Sequence, residues 1–232
     1  MAAISFKLET REEVERFEAL MLQYTEERSQ IVLNHIPLLK AWEQLHLRDD
    51  GGRVFTALLD LYLNLHMIHL DLTSIGATWN ANFSKGKLEG GSVLDSSAKF
   101  FGKMDIHRFA TAFVLRYRAI WDKVMGFLLL QFSPKDYEVF SRSKSKKKAF
   151  RKAASMIPHI SEEFVTELLE ALEKFDDMFR TPEAHGTGTI RKWSLTMEGF
   201  NGNPMFDLID HWNFLNETLL TLGNLFNETG KS

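Results

Sequence analysis

The chain has 232 residues, 44% of them hydrophobic and 25% charged, with a formal net charge of −3; this is the balance of a folded domain and excludes disordered and fibrous classes. It contains no cysteine, which excludes disulfides, thiolate nucleophiles and cysteine-held zinc or iron–sulfur centres. The slightly acidic total also excludes a uniformly basic nucleic-acid-binding domain, so any polyanion site has to be local.

Thr10 and Glu13 have the spacing of a capping box, which predicts a helix start. Val14, Phe17, Leu20, Met21 and Tyr24 then recur at three and four, and the helix is expected to run to about residue 34. Glu9, Arg11, Glu12, Glu13, Glu15 and Arg16 crowd this first segment, so no export signal is expected and the predicted location is cytoplasmic. Pro37 suits the first turn of a second short helix, which Gly51 and Gly52 end. From Arg53 to about Phe83 the pattern is apolar nearly all round and reads as a central helix.

Residues 84–95 hold Gly86, Gly90 and Gly91 and, with Gly102 just beyond, predict the longest loop. Asp105 is then placed to cap a long helix to Phe132. The apolar stretches 55–75 and 109–132 are each interrupted by charged or polar residues, so neither reads as membrane-spanning. Ser133, Pro134 and Asp136 restart a helix as N-cap, first helical position and N3. Pro158 closes a further helix, and Ser161 caps the next, with Glu162 and Glu163 where the helix dipole favours negative charge; it is expected to end near Arg180. A helix with Ile190, Trp193 and Met197 follows, then a last one from about Met205 to Phe226. The periodicity predicts an all-α, single-domain bundle over residues 1–232, of roughly seven to nine helices, mostly antiparallel.

The segment 179–188 carries the densest set of chemically suggestive residues. Pro182 disfavours helix at Thr181, and Gly186 and Gly188 prevent a long helix afterwards, so Arg180 and His185 are expected to flank a tight turn with Thr181 as N-cap. An arginine that clamps a phosphate, beside a histidine that exchanges a proton near neutral pH, suits phosphodiester chemistry. The amides of a helix start would add anion affinity, and Arg191 and Lys192 would deepen the positive pocket. The alternative is that Arg180 caps the preceding carbonyls and His185 is a polar turn residue.

Arg180, four intervening residues and His185, following a long helix, resemble the motif of the HEPN superfamily of all-helical domains. Thr181 stands where that family often has asparagine, and Pro182 is a further departure. The resemblance implies a metal-independent ribonuclease of defence, toxin–antitoxin or RNA-processing type, working as a homodimer. His185 would be its acid–base residue, and Arg180 would hold the scissile phosphate.

The run 142–152 holds seven basic residues and no acid. Lys144, Lys146, Lys147, Lys148, Arg151 and Lys152 can contact successive phosphates of RNA, in a sequence-independent and salt-sensitive way; the alternative is a solvated helix corner. His66 and His69 share a helix face near Asp60 and Asp71, but without the Glu-x-x-His pairs of a ferritin-like site they are expected to be packing residues. No metal or other cofactor is expected: there is no phosphate-binding glycine loop, serine nucleophile elbow or zinc motif. Trp42, Trp79, Trp121, Trp193 and Trp212 are expected in the core. The function predicted from sequence is action on RNA. The competing expectation is a noncatalytic helical module that binds a protein or RNA partner.

Overall fold

The computed structural model describes Arg11 and residues 52–83, 93–157, 160–186, 188–195 and 205–229. Among the described residues there is no strand, in agreement with the all-α class that the periodicity predicts. The helices are α1 (Arg53–Phe83), α2 (Val93–Phe132), α3 (Pro134–Arg142), α4 (Lys146–Ala153), α5 (Glu162–Phe175), α6 (Thr181–Ala184), α7 (Thr189–Leu195) and α8 (Met205–Thr229). A 3-10 turn, Ala154–Met156, follows α4, and a π turn, Asp176–Arg180, joins α5 to α6. The two helices expected before residue 52 lie outside the described residues, apart from Arg11, which is helical. Outside them too lie Gly86, Gly90, Gly91, Pro158, Met197, Trp42 and the side chains of Trp79 and Trp193.

Gly52, at φ +73°, takes the left-handed conformation that favours glycine, and α1 starts immediately after it. Val54, Leu58, Leu61, Leu65, Ile68, Leu72 and Ile75 are all buried. They alternate at four and three residues, which lays one stripe along the helix. The stripe packs on α2, where Ile106, Ala110, Phe113, Tyr117, Ile120 and Val124 make the matching buried face. Lys123 pairs with Asp60 and Arg116 with Asp71; the partner numbers run in opposite directions, so α1 and α2 are antiparallel. Burial raises the pKa of the Asp71 carboxyl, and the Arg116 guanidinium opposes that shift.

Two expectations need correction here. The helix predicted from Asp105 begins at Val93, and Gly102 is buried inside it instead of lying in a loop. A glycine inside a helix costs only about 1 kcal/mol, which a 40-residue helix packed on its neighbours absorbs. Among the described elements α2, and not α1, is the one about which the others gather: it meets α1, α3, α4, the π turn and α7.

The corner after α2 forms as its residues dictate. Pro134 takes the first helical position, and the Ser133 hydroxyl donates to the Asp136 carboxylate. At the other end of α3, Lys146 Nζ donates to the carbonyls of Phe140 and Ser141 at 2.8 Å each. Trp121, Trp212, Tyr117, Phe113, Phe150, Phe175 and Phe179 are among the most deeply buried side chains. Rings of this kind contribute on the order of 2–3 kcal/mol each when fully buried.

On α8, Leu208, Trp212, Leu215, Leu219 and Leu222 form one buried stripe, and the Tyr117 hydroxyl donates to the His211 carbonyl at 2.9 Å. His69 stacks on Trp212 with ring centres 5.6 Å apart, and His66 meets Tyr62 edge-on at 4.4 Å. No described helix is long and apolar enough to cross a membrane.

Candidate functional site

Ser161 caps α5 by accepting from the Phe164 amide at 3.1 Å, and Val165, Leu168, Leu169, Leu172 and Phe175 face the core. At Asp176 the helix widens without ending. The Thr181 amide donates to the carbonyl of Asp176, five residues back, and α6 continues from there. A proline inside a helix has no amide to donate and crowds the carbonyl four residues before it. A π turn immediately ahead of Pro182 takes up that misfit, and such turns are often found at functional sites.

The expected tight turn is therefore absent. Thr181 has helical angles, φ −68° and ψ −50°, and is not an N-cap. Helix runs from Glu162 to Ala184, His185 follows at φ −93° and ψ 4°, and Gly186 at φ +71° supplies the left-handed residue that ends it. At about 100° per residue, five residues turn Arg180 and His185 to different sides of the helix. Both are exposed.

The Asp176 carboxylate is buried and meets three cations from three elements. Arg118 Nε, from α2, lies 3.3 Å away, Lys147 Nζ, from α4, 3.2 Å away, and Arg180 Nη1 3.7 Å away. Arg118 also pairs with Asp122 at 2.6 Å. Two carboxylates thus face three cations, and the surplus charge lies outward: the Arg118 side chain is 8% exposed, that of Lys147 29% and that of Arg180 51%. The motif arginine and the basic run, 33 positions apart from Lys147 to Arg180 in the sequence, share one carboxylate in space.

Around this junction the basic run divides by role. Phe150 and Ala153 fix α4 to the core, while Lys144, Lys148, Arg151 and Lys152 are exposed. Lys146 is engaged with the carbonyls at the end of α3 and lies over the Phe140 ring. Arg191 passes its guanidinium beside Gly186, next to the turn after His185, and Lys192 is exposed on α7. Among the described residues the His185 imidazole has no hydrogen-bond or ion-pair partner.

The helix start expected at Thr181 to attract an anion is not formed, and the next one is not open. Thr181 continues a helix, and the start of α7 is filled by the protein itself: Glu183 accepts from the Ile190 amide at 2.9 Å. Gly188 leaves room for that carboxylate, since a Cβ there would lie 1.9 Å from Glu183 Oε1.

Sequence reasoning missed Arg118, Asp122 and Asp176. The signal was present, because Asp176 lies four residues after the buried Leu172 and three before the buried Phe179. A carboxylate on an apolar stripe needs a cation within the fold. Asp60 and Asp71, considered for a metal, are taken up by Lys123 and Arg116, and no group of three or more ligating side chains forms among the described residues. No family model, characterised protein or solved structure matches the chain.

Proposed function

We propose that the chain is a HEPN-like helical domain that acts on RNA. The cationic face of α4 and the π turn holds the phosphodiester backbone, and His185 with Arg180 cleaves it without a metal. The observation that carries this reading is the junction at Asp176, where Arg180 and Lys147 meet beside the exposed Lys148, Arg151 and Lys152. Two cationic features that are separate in sequence support one polyanion surface on a chain whose total charge is negative.

In this reading the His185 imidazole takes the proton of the attacking 2′-hydroxyl as that oxygen bonds to phosphorus and the bond from phosphorus to the 5′-oxygen breaks. The proton is then returned to the leaving 5′-oxygen, and the arginine stabilises charge on the phosphate. Arg180 and His185 point to different sides of one helix, so the reading includes a homodimer in which a second copy supplies the complementary residue. A chain without cysteine suits the cytoplasm.

The continuous helix favours a second reading. With Arg180 paired to Asp176 and turned away from His185, the same face can bind RNA, or a protein partner, without cleaving.

The test is cleavage of a mixed RNA pool by purified protein in EDTA, comparing the unmodified chain with His185→Ala and Arg180→Ala. Cutting by the unmodified chain and by neither variant supports the nuclease. Salt-sensitive RNA binding with no cutting selects the noncatalytic reading, and an absence of binding removes RNA from the account.

A further inference from the structure

A cleft of about 660 Å³ opens between the 3-10 turn after α4 and the outer face of α5. Its volume lies within the range of small-molecule sites, roughly 300–1,000 Å³. Ala154, Ile160 and Val165 are its apolar lining, with Ala154 and Val165 buried. Along one side run Glu162, Thr166 and Glu170, which are four residues apart and so form a single stripe of α5. Ser155 and Arg151, both exposed, complete the lining, and Arg151 belongs to the cationic run of α4.

This lining is unlike that of the neighbouring face. Carboxylates repel phosphate, so a backbone lying on α4 cannot enter the cleft. What they accept is N–H donors, and an apolar lining beside a stripe of carboxylate and hydroxyl groups suits the flat face and polar edge of a nucleobase. Glu162 and Glu170 lie about 12 Å apart along the helix, so one base meets one of them.

We infer that this cleft is a nucleobase subsite, in which a base of single-stranded RNA turns off the backbone held by α4 and offers its N–H edge to Glu162 or Glu170. The inference rests on the RNA-binding reading of the α4 face. Guanine is the base the chemistry favours, because its N1–H and 2-amino group present two parallel donors to one carboxylate. Uracil presents one N–H between two carbonyl oxygens, which the carboxylate repels.

The experiment measures binding of fluorescent 12-nucleotide RNAs to the full chain by anisotropy across a salt series. The RNAs are oligouridine, the same strand with one central guanosine, and the same strand with inosine in its place. A carboxylate pairing of this kind is expected to favour the guanosine strand on the order of tenfold. Inosine, which lacks the 2-amino group, should lose most of that preference, and the double variant E162Q/E170Q should lose it entirely.

Equal binding of all three strands with steep salt dependence overturns the subsite and leaves the backbone surface standing. A guanosine preference that survives in E162Q/E170Q overturns the placement in this cleft. Absence of salt-dependent binding to every strand removes the backbone reading, and the subsite with it.

Discussion

Asp176→Asn keeps the size of the side chain and removes the charge that three cations share. Arg118, held inside the protein, would retain Asp122 at 2.6 Å as its one charged partner of the two, while Lys147 and Arg180 can turn to water. Removing one partner of a buried pair costs about 3–5 kcal/mol, and the retained Asp122 contact reduces this to roughly 2–3 kcal/mol. The two partly exposed pairs add at most about 1 kcal/mol together. Arg180→Ala gives up a single pair on an exposed side chain, about 0.3–0.5 kcal/mol. Urea unfolding followed by far-ultraviolet circular dichroism should therefore show a loss of about 2–4 kcal/mol for Asp176→Asn and under about 1 kcal/mol for Arg180→Ala. Equal losses would refute the reasoning, since Arg180 would then be a structural anchor and not a cation held out for a ligand. An Asp176→Asn chain as stable as the unmodified one would refute the buried junction itself.

Gly188→Ala should displace the Glu183 carboxylate from the Ile190 amide and cost about 1–2 kcal/mol. Combined with Glu183→Ala the losses should not add, because both remove the same cap; additive losses in the double variant would contradict this. His211 is packed against the rings of Tyr117, Phe175 and Phe179. Burial, and then Lys174, lower its pKa below the usual 6.5, against the opposing pull of Asp207 and Asp210. The folded chain thus binds this proton less readily than the unfolded one. The stability it brings is complete above about pH 6.5 and is lost as pH falls towards the lowered value. Thermal melts between pH 8 and pH 5 should fall more steeply for the unmodified chain than for His211→Phe, and parallel curves would exclude the effect.

The helical class and several boundaries were legible because they depend on local chemistry. The Ser133–Pro134 pair and Ser161 act on the residues beside them, and the structure begins helices where they predict. Gly102 and Pro182 misled for the complementary reason. Each usually marks a break, yet packing holds Gly102 inside α2, and a π turn takes up the ring of Pro182. Of the candidate site, the cations of α4 and Arg180 could be seen in the sequence but their meeting could not. Lys147, Arg118 and Asp176 come together only through the docking of α4 and the π turn on α2. The deeper clue was a carboxylate in an apolar stripe, which periodicity alone exposes once the helix is known to continue through it.

The salt dependence of binding to single-stranded RNA tests the central claim, that Arg180 and the α4 cations act as one surface. Each phosphate neutralised on a single strand contributes about −0.7 to the slope of log K against log salt. With Lys147, Lys148, Arg151, Lys152 and Arg180 engaged, the slope should be roughly −3 to −4. Arg180→Ala should reduce its magnitude by about 0.7, and Lys148→Ala by a similar step. A steep slope that Lys148→Ala lowers and Arg180→Ala leaves untouched would separate the motif arginine from the basic face, and a chain with no salt-dependent affinity for RNA would contradict the account altogether.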